Sequence, residues 1–229
     1  QGKPGRDYSI GFSNAPGMKI AFNYDAADPE ARAVLRNVNF RRALSLAIDR
    51  PTISKTLAFD LMTPIGCAWA PDSPYFDKDS GYLYSEYDPA KARKILDDAG
   101  ITDRNGDGIR ELPTGEKLEL IWDMYAHDLF TPMSEMIVAT TKEVGIKLVL
   151  NEKHQTLHTN NYRAGNFEMT TEDFEFYNEP LLAVEMWVPT KPGSPYFHKN
   201  GFEQGGFSPE YVEYTKILKK ASISNIEDG

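Results

Sequence analysis

The strongest constraint on the fold is an alternation of strand and helix patterns between residues 117 and 176. Apolar and polar residues alternate in three segments, as they do in half-buried strands, and two helical patterns separate these segments. In chain order they are KLELIWDMY (117–125), a helix over Thr131–Val144, IKLVLNE (146–152), a helix over 156–165, and FEMTTEDFEF (167–176). Strands separated by helices are typical of right-handed crossovers, so we predict an α/β fold whose mixed or parallel sheet is flanked by helices.

Two further helices are predicted in the first half of the chain. The segment VNFRRALSLAIDR (38–50) places Phe40, Leu44 and Ile48 on one face, and Pro51 either ends this helix or begins the next. The segment Asp88–Gly100 has clearer limits. Asp88 suits the N-cap, the following proline suits the first helical position, and the final glycine suits a left-handed C-cap.

The remaining segments of the first half have no continuous period. We predict that residues 1–37 are irregular, apart from two short strands at Tyr8–Ser13 and Met18–Asn23. Residues 62–87 are rich in proline and aromatic residues and are predicted to form a long loop.

Charge and cysteine content exclude some classes of protein. The formal net charge of −9 argues against a nucleic-acid surface, which needs clustered Lys and Arg. Cys67 is the sole cysteine, so the sequence contains no intramolecular disulfide. No apolar run reaches transmembrane length, and the first residues lack the apolar core of a signal peptide. The protein is therefore either cytoplasmic or exported by a signal outside this sequence.

The segment DRNGDGIRE (103–111) is similar to the first part of an EF-hand calcium loop, with Gly108 at the position of the sharp turn. The twelfth position, where a bidentate glutamate closes such a site, is Thr114. Two interpretations stay open, namely a structural calcium site and a turn rich in Gly and Asp that needs no ion. The calcium ligands would be Asp103, Asn105, Asp107, the backbone carbonyl of Ile109, and Glu111.

Other candidate chemistry is weaker. His154 and His158 have the spacing of a zinc-ligand pair on a helix, but Gln155 replaces the glutamate of a metalloprotease motif, and we expect histidines in a loop or in solvent. The sequence has no nucleophile elbow and no phosphate-binding loop. The carboxylates Glu172 and Asp173 leave open a calcium-stabilised hydrolase that acts on carbohydrate.

Four segments, taken in order and spacing, resemble the family 5 extracellular solute-binding proteins, which are the oligopeptide-, dipeptide- and nickel-binding components of ABC importers. NVNFRRALSLAIDR is similar to the family signature V-R-x-A-L-x-x-A-I-D-R, and YDPAKARKILDDAG is similar to D-P-x-K-A-x-x-L-L-x-x-A-G. MIVATTKEVGIKLVL resembles the helix that runs into K-x-x-G-I and a strand, and FYNEP resembles the D-Y-N-E-P segment of oligopeptide binders. The resemblance spans roughly residues 8 to 220.

This resemblance implies a lobe of the type II periplasmic-binding-protein kind. Residues 1–229 would form a single C-terminal lobe, a fragment of a two-lobed protein that closes over its ligand. Such a protein is not an enzyme and requires no cofactor. Its partners would be a small ligand and the permease subunits of an ABC importer, with no nucleic acid. The location would be periplasmic or extracellular, with membrane contact only through the transporter or a lipid anchor outside this chain.

The resemblance also indicates ligand-binding residues. In oligopeptide binders an aspartate before Y-N-E-P pairs with the amino terminus of the peptide, because a buried ammonium needs a counter-charge. Phe176 occupies that position here and would suit stacking on a sugar ring or an apolar side chain. A peptide and an oligosaccharide therefore both stay open as ligands. Two tryptophans of the aromatic-rich irregular segments would add aromatic contacts to those of FYNEP. The ligand-binding residues that we predict are Trp69, Phe176, Tyr177, Asn178, Glu179 and Trp187.

Overall fold

Strands and helices alternate through the part of the chain that the computed structural model describes, which is residues 17–65, 76–174, 212–213, 215–217 and 220. The residues described beyond 211 are helical. The elements are β1 (Gly17–Phe22), α1 (Pro29–Arg36), α2 (Val38–Leu46), α3 (Arg50–Ala58), α4 (Lys78–Gly81), α5 (Pro89–Asp98), β2 (Glu119–Tyr125), α6 (Phe130–Glu143), β3 (Lys147–Lys153), α7 (Gln155–Ala164) and β4 (Met169–Phe174).

The four strands form one sheet in the order β1-β4-β2-β3. Strand β2 pairs in parallel with both β3 and β4, whereas β1 pairs with β4 in the antiparallel direction. The sheet is therefore mixed, and the α/β class predicted from the alternating patterns is confirmed. Helix α6 connects β2 to β3 and helix α7 connects β3 to β4, as parallel strands require.

The hydrophobic core lies between one face of the sheet and helices α1, α2, α3, α5 and α6. Trp122 on β2, Phe40 on α2 and Leu96 on α5 are fully buried in it. Helices α2 and α5 pack against each other, and the apolar face predicted for residues 38–50 is buried. The described residues contain no helix that is both long and apolar enough to span a membrane.

Helix α1 corrects the expectation that residues 1–37 are irregular beyond two strands. Asp28 is its N-cap, since Oδ1 accepts the backbone N–H groups of Glu30 at 2.7 Å and Ala31 at 3.2 Å. Pro29 occupies the first helical position, and Leu35 is fully buried. The same Asp-Pro pair marks the start of α5. Helix α1 is harder to predict from the sequence, because it is short and its apolar face is narrow. Strand β1 confirms the prediction for 18–23, whereas Tyr8–Ser13 lies outside the described residues.

Helix α2 is shorter than the helix predicted over 38–50, and Pro51 lies in the first turn of the next helix, α3, which is one of the two roles expected for it. Helix α2 ends at Leu46, and Asp49 caps α3 by accepting the N–H of Thr52 at 3.0 Å. Arg50 is the first residue of α3, and its guanidinium donates back to the Ser45 carbonyl at 2.7 Å and the Ser45 hydroxyl at 2.8 Å. The terminal Asp-Arg of the signature thus joins two helices, which is a structural role.

Candidate functional site

The parallel strands β2, β3 and β4 end at the same edge of the sheet. Ligands of open α/β sheets bind outside the carboxyl ends of the strands, because the loops that follow the strands meet there. Polar side chains that share one face of the sheet at this edge are therefore candidates for a ligand site.

The strand registers place a set of polar side chains on one face. Lys19 pairs with Glu172, Asp123 pairs with both Thr170 and Asn151, and residue 125 pairs with residue 153. Register partners share a face, and side chains two residues apart in a strand do so as well. One band of residues thus crosses all four strands near the carboxyl edge. We call it the polar band, and its members are Lys19, Asp123, Tyr125, Asn151, Lys153, Thr170 and Glu172.

Two ion pairs run across the polar band. Lys19 Nζ lies 2.6 Å from a carboxylate oxygen of Glu172, and Lys153 Nζ pairs with Asp123. The amide of Asn151 donates to Asp123 Oδ1 at 2.8 Å, so this buried carboxylate has two partners on β3. These contacts fix the relative positions of the strand ends at the edge.

Helix α7 covers part of this face. Its residue His158 is buried, and Nε2 lies 2.8 Å from the Thr170 hydroxyl. Burial lowers the pKa of His158, and the positive charge of Lys153 acts in the same direction, whereas Asp123 acts against it. The imidazole is therefore neutral at pH 7. The expectation of exposed histidines is wrong for His158, because a helix end that packs on the sheet withdraws it from solvent.

Tyr125 is held at the end of β2 by two imidazole rings. The ring of His158 lies 5.3 Å from it and the ring of His127 lies 6.1 Å from it, both in edge contacts. His127 in turn stacks on Phe130 at 4.1 Å, and its Nδ1 accepts the N–H groups of Leu129 and Phe130 at 3.2 Å. The edge thus presents a partly exposed, fixed aromatic ring beside charged and amide groups.

A groove of about 640 Å³ lies at the opposite, amino end of the same strands. Carboxylates of Asp28, Glu119 and Glu168 line it together with apolar side chains of α1 and β2. Burial raises the pKa of Glu168, whose carboxylate accepts the N–H of Ile121 at 2.7 Å. The groove is separated from the polar band by the length of the strands.

The acidic loop lies between α5 and β2. Ligand atoms of Asp103, Asp107 and Glu111 lie within 4.8 Å of one another, and in the described part of the chain these are the residues that could jointly hold an ion. Both Asp103 oxygens accept backbone N–H groups, from Gly106 at 2.7 Å and Gly108 at 3.0 Å. The loop therefore has the spacing of cation ligands and also the internal bonds of a turn.

Other contacts of this loop compete with an ion. Lys117 pairs with Asp107, and this hydrogen bond lowers the pKa of the carboxyl. Asn105 donates its amide N–H to Glu111 at 2.7 Å. Thr114, at the twelfth position, donates to Glu30 on α1 at 2.5 Å. Calcium binding through Asp103, Asn105, Asp107, Ile109 and Glu111 stays a prediction.

The predicted ligand-binding residues lie outside the described part of the chain. FYNEP begins two residues after Phe174, where β4 ends, so in sequence it follows directly from the carboxyl edge. The roles assigned to these residues stay predictions. They are Trp69, Phe176, Tyr177, Asn178, Glu179 and Trp187.

Sequence reasoning missed the polar band. The signal was available as polar residues at alternate positions near the ends of successive strands, for example Asp123 and Tyr125 on β2 and Asn151 and Lys153 on β3. Their convergence depends on the registers, which the sequence patterns do not specify.

Most of this chain is similar in sequence to known bacterial binding proteins. Residues 3–194 match the family described as "Bacterial extracellular solute-binding proteins, family 5 Middle". The periplasmic alpha-galactoside-binding protein of Rhizobium meliloti is 27% identical, over 88% of this chain and 31% of its own length. The nickel-binding periplasmic protein of Escherichia coli is 28% identical, over 61% of this chain and 26% of its own length. The chain thus spans about a third or less of these relatives.

Solved structures share the fold. The oligopeptide-binding protein OppA superposes with a TM-score of 0.82 at 24% identity, over 92% of this chain and 36% of its own. The periplasmic binding protein MelB of Agrobacterium fabrum, solved with stachyose, gives a TM-score of 0.74 at 19% identity, over 90% of this chain and 33% of its own. NikA of Brucella suis, solved with Fe(III)-EDTA, gives a TM-score of 0.69 at 21% identity, over 91% of this chain and 39% of its own. These similarities show the fold, a mixed sheet flanked by helices as in type II periplasmic binding proteins.

Proposed function

The chain belongs to family 5 of the bacterial extracellular solute-binding proteins, and on this basis we propose that it forms a ligand-binding lobe of the receptor of an ABC importer. The named relatives are binding proteins, for an alpha-galactoside and for nickel. A receptor of this kind captures a peptide or an oligosaccharide in the periplasm or outside the cell and delivers it, unmodified, to the permease subunits.

The convergence of the polar band at the carboxyl edge is the observation that supports a ligand site there. The edge combines an aromatic ring, fixed at Tyr125, with two ion pairs that hold the strand ends in place. A site built on strands is more rigid than one built on loops, so little ordering free energy is lost on binding. In sequence, FYNEP begins two residues after Phe174, the last residue of β4, and the ligand contacts of Phe176–Glu179 stay predictions.

The hydrolase alternative has less support. Glu172, one of its two candidate carboxylates, is paired with Lys19 at 2.6 Å and is mostly buried. This carboxylate could reach a substrate only if the largely buried ion pair were broken, which would leave the Lys19 ammonium without compensation. We therefore propose that the lobe binds its ligand without converting it.

The test uses the whole protein that contains this chain, purified without denaturation. Bound small molecules are extracted and identified by mass spectrometry, and hydrogen exchange is compared with and without the recovered molecule. We expect slower exchange at residues 123–127 and 151–154, because ligand binding restricts opening of the carboxyl edge. Residues 118–121, at the amino end of β2, serve as the internal control.

Two results would contradict the proposal. Release of a chemically altered molecule after incubation would show turnover and favour the hydrolase. Protection confined to residues 118–121 or to the 103–111 loop would place the ligand away from the polar band.

A further inference from the structure

The charges of the polar band cancel within the band. Lys19 and Glu172 form one pair at 2.6 Å, with side chains 19% and 11% exposed. Lys153 and Asp123 form the other, with side chains 14% and 4% exposed. Both pairs are largely withdrawn from water, so removal of either partner leaves a charge without compensation, which is strongly unfavourable.

This pairing disfavours a ligand with full charges. A zwitterionic peptide brings an ammonium and a carboxylate, and each needs a counter-charge when it is desolvated. In the described part of the band, such a counter-charge would have to come from Asp123, Glu172 or one of the two lysines, at the expense of an existing pair. The ligand termini would therefore compete with contacts that hold the sheet edge together.

A hydroxyl group needs no counter-charge when it is desolvated. It donates one hydrogen bond and accepts others, so it can bond a paired carboxylate or ammonium without separating the pair. Tyr125 adds a partly exposed ring whose orientation is fixed by His127 and His158. Asn151, which is exposed next to it on β3, adds an amide whose carbonyl oxygen can accept. An aromatic face beside amide and paired ionic groups suits the apolar face and hydroxyl rim of a sugar ring.

We propose that the polar band selects an uncharged, hydroxyl-rich ligand, an oligosaccharide rather than a zwitterionic peptide, with Tyr125 as the stacking surface. The inference rests on the proposed function as a binding lobe, and it names the substrate class for the same edge.

The experiment is calorimetry of the whole, ligand-free protein with three probe sets of similar size. The first set is raffinose and stachyose, and the second is tri- and tetra-alanine with free termini. The third set is the same peptides acetylated at the amino end and amidated at the carboxyl end, which removes their charges. We expect binding of the sugars and none of the charged peptides. Tyr125→Ala should weaken sugar binding by about 10-fold or more, and Tyr125→Phe by less than about 3-fold, since the ring is kept.

Ile121→Ala is the matched control, because Ile121 lies on the same strand and face about 13 Å before Tyr125 and is exposed. Its affinity for sugar should equal that of the wild type. Thermal melts of each variant show whether it folds, and the selectivity of the wild-type protein tests the ligand class independently of any variant.

Each other outcome has a defined meaning. Tight binding of charged peptides overturns this inference and leaves the proposed function intact. Binding of the blocked peptides without the sugars overturns the hydroxyl-rich class. Sugar binding that Tyr125→Ala leaves unchanged overturns the stacking role. Binding of no probe overturns the inference, whereas the proposed function then depends on the molecule recovered by native extraction.

Discussion

Individual polar side chains in this lobe serve contacts that can be tested one residue at a time. Asp103, Asp107 and Glu111 bring ligand atoms within 4.8 Å of one another, a spacing suited to a hard cation. His158 is the opposite case, since it is a titratable ring withdrawn from water and bonded to Thr170. In both cases the folded structure sets the affinity of the group for an ion or a proton. The free energy of unfolding therefore depends on the calcium concentration or on pH.

Calcium should raise the melting temperature if the 103–111 loop binds it. An ion that binds only the folded form stabilises it by about 2.7 kcal/mol at a concentration one hundred times its Kd. Melts with calcium and with a chelator check this, and Asp103→Asn should abolish the shift. Asp98→Asn is the control, because it removes one exposed carboxylate outside the loop. If calcium leaves the melting temperature of the wild type unchanged, the loop is a turn that binds no calcium.

The stability of the lobe should fall on acidification through the range in which His158 titrates. Burial lowers the folded pKa of His158 below its ordinary value of 6.5, so the unfolded chain binds the proton more tightly. Stability from the neutral ring is thus complete above pH 6.5 and is lost as pH falls through the folded pKa. The charges that face the ring, Asp123, Lys153 and Glu172, remain in a His158→Gln variant.

Urea unfolding at several pH values between 7.5 and 5 measures this effect. The wild type should lose more unfolding free energy than His158→Gln over that range, since the variant lacks the titrating ring. Equal losses in both proteins would assign the pH dependence to other groups.

At the scale of the elements, helix ends and the close contacts between them organise this fold. Asp28, Asp49 and Asp88 each cap a helix that has proline at its first or second position. Arg110 joins two helix C-termini: its guanidinium donates to the Val144 carbonyl at 2.8 Å after α6 and to the Ile101 carbonyl at 2.6 Å after α5. The same guanidinium pairs with Asp97 on α5 at 2.5 Å, so this buried cation has a counter-charge as well as carbonyl acceptors.

Gly145→Ala should destabilise the lobe by about 2 to 4 kcal/mol. Gly145 has a φ of +86°, and a Cβ there would lie 2.6 Å from Cγ of Arg110. The substitution therefore adds a steric conflict with Arg110 to the cost of a left-handed backbone. Equilibrium unfolding in urea measures the loss.

Gly108→Ala separates these two costs. Gly108 has the same φ of +86° and no atom within 4 Å of the added Cβ, so only the backbone cost of about 1 to 2 kcal/mol applies. The free energy of unfolding of Gly108→Ala should be clearly larger than that of Gly145→Ala. Both are measured in urea with a chelator present, because Gly108 lies in the candidate calcium loop. Equal losses would show that the approach of Arg110 adds nothing.

At the scale of the whole molecule, the sheet separates a hydrophobic core on one face from a polar edge on the other. Trp122 is fully buried on the core face, and its Nε1–H donates to the Thr171 hydroxyl at 3.0 Å, which joins β2 to β4 across the centre of the sheet. Neighbouring strand positions such as Asp123 and Thr170 point to the opposite face. The same strands thus serve stability and recognition with alternate residues.

Trp122→Phe should cost about 2 to 4 kcal/mol, since it leaves a smaller ring in the core and a buried Thr171 hydroxyl without its donor. Adding Thr171→Val should recover about 1 kcal/mol, because it removes that hydroxyl at nearly constant volume. Urea unfolding of the single and double variants checks the coupling. A double variant less stable than Trp122→Phe would contradict the assigned bond.

The sequence by itself determined the class of fold, the positions of most elements and the family. Strand alternation, the Asp88–Gly100 caps and the four signature segments are local patterns, and local patterns follow from backbone geometry and side-chain periodicity. Helix α1 was missed and α2 was predicted to run past its end at Leu46, because short helices show few periods and their ends depend on neighbouring contacts. The tertiary structure alone decided the polar band. Its ion pairs join Lys19 to Glu172 and Asp123 to Lys153, residues far apart in the chain, and only the strand order and register bring such residues together.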